Sequence, residues 1–528
     1  MWKIRFIITQ AASLLILLNG CSNKDKKESV SQRPNIILFF TDDQGYADLG
    51  CYGAKDFETP NIDQMAKVGT RFTNYYVAAP TCTPSRWALL TGCYPSRNLN
   101  SIDKPANARK TGLSINEIDT SIYNEVQRQR IRDIRKKEPS AIFFDVWSGI
   151  NSEEMTVAEL LKQVGYKTAM YGKWDLGRAP QFYPSKHGFD EYLELPNSHD
   201  FNPSVTVPSI LEAKMFFPHL PLIENDSIIE YDPDPDFLTK RSTEKAIEFI
   251  ERNHESPFFI YMAYSMPHVP LGVSPRFRGK SKNGLYGDVI QELDHSVGQI
   301  LSKVDQYGLT DNTLVIFISD NGPFLIYGNH AGSAEPLRDG KKTNFEGGVR
   351  VPCIMKWPGM IPENEVCLTP AMTIDLMPTF AEITGAPLSK LPIDGKSIFS
   401  LLKNPKEESP HEAYFFYRGG DNSPEWDNSE IIAVRSGKWK LVYPHTYPTL
   451  NGRHGGKGGI PVINGTGTID TALFDMETDI SETENLKDKY PEIVKKLSKM
   501  AEEYNNELKQ NRRSVSWVTD STTIQQRD

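Results

Sequence analysis

Cysteine is scarce in this chain. Six cysteines spread over 528 residues do not form the closely spaced framework that staples small secreted domains, so the fold must rest on a packed core. A chain of this length can bury one. Its composition, 39% hydrophobic and 24% charged, is globular, without collagen-like or disordered bias. Positive charge is not in excess either. Against 59 Lys and Arg stand 68 Asp and Glu, a formal net charge of −9, which argues against a nucleic-acid partner because phosphate neutralisation wants a basic surface. An anionic substrate must then be held by a local cluster of cations. Long apolar runs are missing as well. The mostly apolar stretch from Phe6 to Leu18 is too short and too interrupted for a membrane span, which needs about 20 apolar residues.

What that stretch does carry is a targeting pattern. Lys3 and Arg5 precede it, and Leu18-Asn19-Gly20-Cys21 follows. The tetrapeptide resembles a bacterial lipobox, which implies removal of a signal peptide (residues 1–20), lipidation of Cys21 and a polar tether over residues 21–33. The resemblance implies an exported, lipid-anchored protein of the periplasm or cell surface. Of the other cysteines, Cys353 and Cys367 could pair across a loop or stay free.

Continuous apolar runs set the fold class. "NIILFFTDDQG" (35–45) and "NTLVIFISDNGP" (312–323) lack the alternation of a half-exposed strand, and "YKTAMYGKWDLG" (166–177) and "PFFIYMAYSMPHVP" (257–270) repeat the pattern. Such runs read as strands buried on both faces of a parallel sheet. Helical stretches lie between them, for example 156–165 and 286–308, which gives a doubly wound α/β domain over residues 34–408. From about residue 410 the runs "AYFFYR", "IIAVRSGKWKLVYP" and "TALFDMETD" read as short antiparallel strands. A helix follows them, with Ile493, Leu497, Met500, Ala501, Tyr504 and Leu508 on one face, and the whole forms a smaller α+β domain over 409–528. A charged segment, 115–140, carries Arg128, Arg130, Arg132, Arg135, Lys136 and Lys137. It reads as a solvated helix face or as a lid that meets a polyanion.

In open α/β sheets the working residues sit at the carboxyl ends of the strands. Those ends offer Asp42, Asp43, Asp320 and Asn321, hard oxygen donors that suit Ca²⁺ or Mg²⁺ better than zinc. Arg86, Lys173, Lys341 and His268 stand in loop-like positions after apolar runs. A divalent ion among fixed cations is an anion trap, fitted to sulfuryl or phosphoryl transfer. Within "PTCTPSRWALLTG" (80–92) a helix is expected, with Pro84 in its first position, Thr83 or Ser85 as cap and Gly92 as stop. Cys82 at that helix start, beside Arg86, occupies a place suited to an anion or to an activated nucleophile.

The run "CTPSRWALLTG" resembles the signature of the type I sulfatases, Cys-x-Pro-Ser-Arg-x-x-x-Leu-Thr-Gly. "TDDQG", "GKWDLG", "HVP", "SDNGP" and "LRDGKKTNFEGGVRVP" resemble that family's other landmarks in their order, over about residues 34 to 505. The resemblance implies an alkaline-phosphatase-like fold and hydrolysis of O-sulfate esters, with a sulfated carbohydrate as the expected substrate of an exported lipoprotein. It implies that Cys82 is converted to formylglycine by a maturation enzyme. One oxygen of the aldehyde's hydrate would attack sulfur, and the second hydroxyl would expel sulfate. By the same carry-over, Asp42, Asp43, Asp320, Asn321 and modified Cys82 would bind one Ca²⁺. Arg86 and Lys173 would orient the nucleophile, Lys341 would hold the sulfate, and His268 would assist the leaving alcohol. "LPNSHD" (195–200) resembles a pocket segment of arylsulfatase-type members, making Ser198 a candidate sulfate contact and His199 a candidate substrate contact.

Two positions depart from the family. Asp175 stands where Gly-Lys-Trp-His-Leu-Gly has histidine; a carboxylate can accept the proton which that histidine handles, but donates only when protonated. Glu335 stands in "GSAEPLR" where glycine is usual, and is expected to bind sugar hydroxyls or to be a solvated loop residue. Two other functions compete: a phosphatase or phosphodiesterase on the same fold, disfavoured by Cys82 and the oxygen-only ligand set, and a non-catalytic lipoprotein that binds sulfated glycan, favoured by Asp175 alone.

Overall fold

The structure, a computed structural model, describes residues 33–99, 148–201, 219–417, 430–514 and 516–517, the short strands 112–114 and 142–144, and helical positions 128, 132 and 136. Cys21 and most of the basic segment 115–140 lie outside the described residues. Among the described residues no helix is long and apolar enough to cross a membrane.

Ten strands form one sheet: β1 (Asn35–Thr41), β2 (Thr70–Phe72), β3 (Lys167–Lys173), β4 (Glu191–Leu195), β5 (Pro221–Glu224), β6 (Ser227–Tyr231), β7 (Phe258–Ala263), β8 (Thr313–Ser319), β9 (Cys353–Lys356) and β10 (Glu365–Cys367). Their spatial order is β6-β5-β4-β3-β7-β1-β8-β9-β2-β10. From β4 to β8 the strands are parallel, and antiparallel pairs flank them at β4/β5 and β8/β9. The unbroken apolar runs follow from this placement. Ile36, Leu38 and Phe40 join Leu314, Ile316 and Ile318 in one core, while Ile37 and Phe39 join Val315 and Phe317 in the other. Each fully buried side chain of this kind contributes about 1.5–3 kcal/mol.

Among the described residues the helices that cover the sheet include α1 (Pro60–Lys67), α2 (Cys82–Thr91), α3 (Val157–Lys162), α4 (Leu238–Asn253), α5 (Gly284–Gln306) and α6 (Leu376–Thr384). The apolar residues of α2, α3 and α6 belong to the first core, those of α1, α4 and α5 to the second. Thr156 opens α3 with a capping box to Glu159. Gly92 ends α2 in the left-handed conformation, φ 69°. The start of α2 differs from the expected one. The helix begins at Cys82, Thr81 flanks it without a side-chain cap, and Thr83 donates to Asp175 instead. Pro84 is the third helical residue, still within the first turn where no backbone N–H has an intrahelical partner.

The C-terminal region contributes β11 (Tyr414–Tyr417), β12 (Ile431–Ser436), β13 (Trp439–Val442), β14 (His445–Thr449), β15 (Gly465–Ile469), β16 (Ala472–Asp475) and α7 (Pro491–Gln510). An antiparallel sheet β11-β12-β13-β16 and a separate hairpin β14/β15 result. Leu497, Ala501 and Leu508 of α7 are buried in the same core as the first face of the large sheet.

Cys353 and Cys367 do not pair. Both stand opposite Phe72, on the two sides of β2, so two strand spacings, about 9–10 Å, separate them, more than a disulfide can bridge. Both thiols are free.

Candidate active site

The carboxyl edge of the parallel strands gathers the predicted side chains. Beyond β1, the Asp42 N–H donates to the Met266 carbonyl (3.1 Å). Asp43 turns into the left-handed conformation, φ 65°, and its N–H donates to Asp320 Oδ1 (3.0 Å). The Gln44 N–H donates to Ser319 Oγ (3.0 Å). The first bond ties the end of β1 to the segment after β7, and the other two lock it to the end of β8. Asn321 completes the junction by donating its amide to Asp43 Oδ1 at 2.7 Å.

Helix α2 points its first residue at this junction. Cys82 Sγ lies 3.2 Å from Asp42 Oδ1 and 3.9 Å from Asp43 Oδ1. Lys341 Nζ donates to Asp43 Oδ1 (2.6 Å) and approaches Cys82 Sγ at 3.1 Å. One turn along α2, the fully buried Arg86 bonds Asp320 Oδ2 (2.9 Å) and the Lys173 carbonyl (3.0 Å), and stands 3.5 Å from Asp42. Lys173 Nζ donates to Asp42 Oδ2 at 2.8 Å. Asp175, φ 58°, accepts from the Thr83 hydroxyl (2.7 Å) and lies 3.7 Å from Lys173 Nζ. His268 holds its Nδ1 against the Val269 carbonyl (2.5 Å) and 3.4 Å from Ser198 Oγ, with Nε2 3.6 Å from Asp43 Oδ2. His199 is buried with Nε2 on the Pro270 carbonyl (2.8 Å) and packs edge-on to His268. Glu335 is exposed. Its backbone N–H meets Ser333 Oγ, and its carboxylate joins none of these contacts.

Three carboxyl groups packed together conflict electrostatically. Burial is the largest single influence on Asp42 and would raise it, but Lys173, His268, Arg86 and Lys341 together outweigh it and hold that carboxyl well below the usual range. Burial lifts Asp43 despite Lys341. Burial, with the charge of Asp42, pushes Asp320 up to about 7. Asp43 Oδ2 and Asn321 Oδ1 are buried without a hydrogen-bond partner. Ligand atoms of Asp42, Asp43, Cys82 and His268 lie within 4.8 Å of one another. Orphaned oxygen lone pairs turned into a cluster of carboxylates fit a hard divalent cation. The Cys82 thiol meets the opposite of activation: burial, then Asp42, push it well above its ordinary value despite Lys173 and Lys341. Burial, then Lys341, pushes the His268 imidazole down to about 3.

A cysteine at a helix start, oxygen donors at two strand ends and four buried basic groups thus stand together at the carboxyl edge of the sheet, and similarity to known proteins decides the family. The family model described as "Sulfatase" matches residues 34–386, more than half of the chain. The chain belongs to the sulfatase family. Models for the "C-terminal region of aryl-sulfatase" and for "N-sulphoglucosamine sulphohydrolase, C-terminal" match residues 409–527 and 339–450 of this sulfatase. It is similar to the N-acetylgalactosamine-6-sulfatase of Mus musculus, 36% identical over 82% of this chain and 76% of that one. It is also similar to the arylsulfatase A of Homo sapiens, 34% identical over 87% and 84%. A solved structure of Ps i-CgsB in complex with k-i-k-neocarrahexaose superposes with TM-score 0.67 at 26% identity, covering 93% of this chain and 96% of that one. The protein is thus an enzyme that hydrolyses sulfuric esters, on an alkaline-phosphatase-like mixed sheet.

Two supports of this sulfatase site escape a reading of the sequence. The buried Asp48 carboxylate accepts from the Gly45 N–H (2.7 Å), the Ser333 N–H (2.9 Å) and the Tyr286 hydroxyl (2.6 Å), and burial pushes it up to about 6. It ties the Asp42–Gly45 turn to the loop of Glu335. A Cβ on Gly45 would lie 2.3 Å from the Ser333 carbonyl oxygen, so this approach requires glycine. The spacing Gly-x-x-Asp was a usable local signal. The second support has none. The buried Lys440 bonds Glu346 (2.9 Å), Glu482 (2.9 Å) and the Asn344 carbonyl (2.9 Å), anchoring the loop of Lys341 to the C-terminal sheet. Burial would raise Glu346, but Lys440, then Arg435, hold it at about 2.

Proposed function

We propose that this sulfatase hydrolyses O-sulfate esters of carbohydrate through a formylglycine derived from Cys82 and one Ca²⁺. The observation that carries the reading is the convergence of Cys82 Sγ with Asp42, Asp43 and Lys341 at 3.1–3.9 Å, within a buried, mixed-charge pocket. As a plain thiol Cys82 is a poor nucleophile here, because burial and Asp42 oppose the thiolate. Conversion by a maturation enzyme removes that obstacle and supplies a hydrated aldehyde with one hydroxyl to attack and another to release sulfate. Asp42, Asp43, Asp320 and Asn321 would hold Ca²⁺, which supplies charge stabilisation to sulfate oxygens when bound.

The chain's own residues then divide the work. Lys341 and Lys173 hold negative oxygen in a water-poor pocket, where fixed donors act most strongly. Arg86 fixes Asp320 and, through the Lys173 carbonyl, the end of β3. His268 is neutral at rest with Nε2 turned to the cluster. An arriving sulfate anion raises the proton affinity of that nitrogen, fitting it to protonate a leaving alcohol. Ser198 steadies the His268 ring and His199 backs it. Asp175 accepts a proton where the family has histidine.

A carbohydrate substrate is supported by relatives whose names specify a sulfated amino sugar and a complex with neocarrahexaose. The lipobox-like Leu18-Asn19-Gly20-Cys21 supports an exported, lipid-anchored form, with residues 34–408 as catalytic domain and 409–528 as C-terminal subdomain. Sulfate release from defined sulfated mono- and disaccharides by protein made with its maturation enzyme tests the proposal. Phosphate release with no sulfate release contradicts it.

A further inference from the structure

The rim of the site has a charge pattern of its own. In a chain of net charge −9, residues 443–469 contain no Asp or Glu and carry Arg453, His454 and Lys457. They form the hairpin β14/β15 and its tip. The stem stands on the loop of Lys341. The Thr449 hydroxyl donates to Asp339 Oδ1 (3.3 Å), and Arg338 donates to the Tyr447 hydroxyl (2.8 Å). The tip folds onto the segment that follows Asn321. The N–H groups of Gly456 and Val462 donate to the Ile326 carbonyl (2.8 and 3.1 Å), and the Gly458 N–H donates to Asn329 Oδ1 (2.8 Å).

Close backbone approach fixes the tip there. A Cβ on Gly328 would lie 1.9 Å from the Gly456 carbonyl oxygen, so neither chain can carry a larger residue at that crossing without moving. The same segment begins at Phe324, whose ring centroid lies 5.3 Å from Lys341 Nζ and 5.4 Å from Lys342 Nζ. The tip is therefore tied, through the segment Phe324–His330, to the loop that carries Lys341. Arg453, His454 and Lys457 are exposed. The Arg453 guanidinium is pinned by the Leu450 and Ile463 carbonyls (3.0 and 2.9 Å), two of its five donors. Beside it Ile463 is 87% exposed. A held cation next to an exposed apolar side chain suits a sugar ring that carries an anionic group. Asp339, the acid beneath the stem, is already engaged by Thr449 and lies 3.6 Å from Arg338.

We infer that the β14/β15 tip is an outer subsite that binds a second sulfate group, on a sugar next to the one whose ester is cleaved. The preferred substrate is then a multiply sulfated oligosaccharide. The inference rests on the carbohydrate reading above and names the substrate class within it.

Binding of dextran sulfate oligosaccharides to the full chain, measured by calorimetry over a range of salt, tests the subsite separately from turnover. The double variant Arg453→Ala/Lys457→Ala should bind about tenfold more weakly, the loss of two exposed ion contacts, and with a shallower salt dependence. Lys495→Ala/Lys496→Ala, the same charge change on exposed positions of α7, should stay within about twofold of the parent. Equal weakening by both double variants, an unaffected Arg453→Ala/Lys457→Ala protein, or a parent that does not bind the probe would overturn the inference. The expected binding pattern in a protein that releases no sulfate from any sugar would keep the subsite and remove the sulfatase mechanism.

Discussion

Replacing Lys341 by methionine probes the electrostatics of the site with little change of shape. The methionine stem follows the lysine's path past Phe324, and what disappears is the ammonium bonded to Asp43 Oδ1 at 2.6 Å and held 3.1 Å from Cys82 Sγ. Two costs follow, and they are separable. In the free protein, Asp43 keeps the Asn321 amide but loses its ammonium, and breaking a buried pair from one side costs up to about 3–5 kcal/mol. Uptake of a proton by Asp43, already favoured by burial, reduces that figure, and a bound cation reduces it further. In the reaction, the sulfate loses one fixed donor in a water-poor pocket, which costs about 3–4 kcal/mol, or roughly 10²–10³-fold in kcat/KM. Steady-state sulfate release, metal content by mass spectrometry and melting with and without Ca²⁺ read these terms separately. The expected result is a kcat/KM loss of roughly 10²–10³-fold at unchanged metal content, with a lowered Tm that Ca²⁺ largely restores. Lys341→Arg should recover part of the rate. A Lys341→Met protein within about tenfold of the parent, with the same metal content, would refute a sulfate contact at Lys341.

Asp320→Ala leaves Arg86 without its 2.9 Å partner and removes one oxygen donor, so bound Ca²⁺ should fall well below one per chain and activity should be lost; full occupancy would remove Asp320 from the ligand set. Asp175→Asn keeps a partner for Thr83 but removes the basic oxygen, so kcat should fall about a hundredfold with little change in KM. Parental kcat at every pH would leave Asp175 without a chemical role. His187 offers a test outside the metal site. It is fully buried with neither ring nitrogen bonded, and burial pushes it down to about 4. The folded chain therefore binds fewer protons there than the unfolded one. Its stability is complete above about pH 6.5 and declines as pH falls toward 4, by about 2 kcal/mol at pH 5. His187→Phe should narrow the difference in denaturant midpoint between pH 7 and pH 5. An unchanged difference would place the acid sensitivity elsewhere.

What the sequence revealed and what it hid have physical reasons. Strands β1 and β8 were legible because burial on both faces leaves an unbroken apolar run, and Asp42, Asp43, Asp320 and Asn321 stood out as polar residues where such runs stop. The convergence of those ends is a property of the parallel register between β1 and β8. Local patterns were less reliable where tertiary contacts compete. Thr83 looked like a cap, but a carboxylate 92 positions away in the chain takes its hydroxyl. Whether Cys353 and Cys367 pair was open in the sequence, and β2 standing between them decides that they do not. Lys440 lies in a run legible only as a short antiparallel strand. Only the packing of the C-terminal sheet against the Lys341 loop buries it between Glu346 and Glu482.

The central claim is chemical and concerns a single side chain. Mass spectrometry of the tryptic peptide spanning residues 72–86, which contains Cys82 and ends at Arg86, taken from protein of known specific activity, tests it most directly. The account predicts that the thiol is replaced by an aldehyde or its hydrate, in a fraction that rises and falls with sulfate-releasing activity. Full activity from chains that carry only unmodified Cys82 would contradict it.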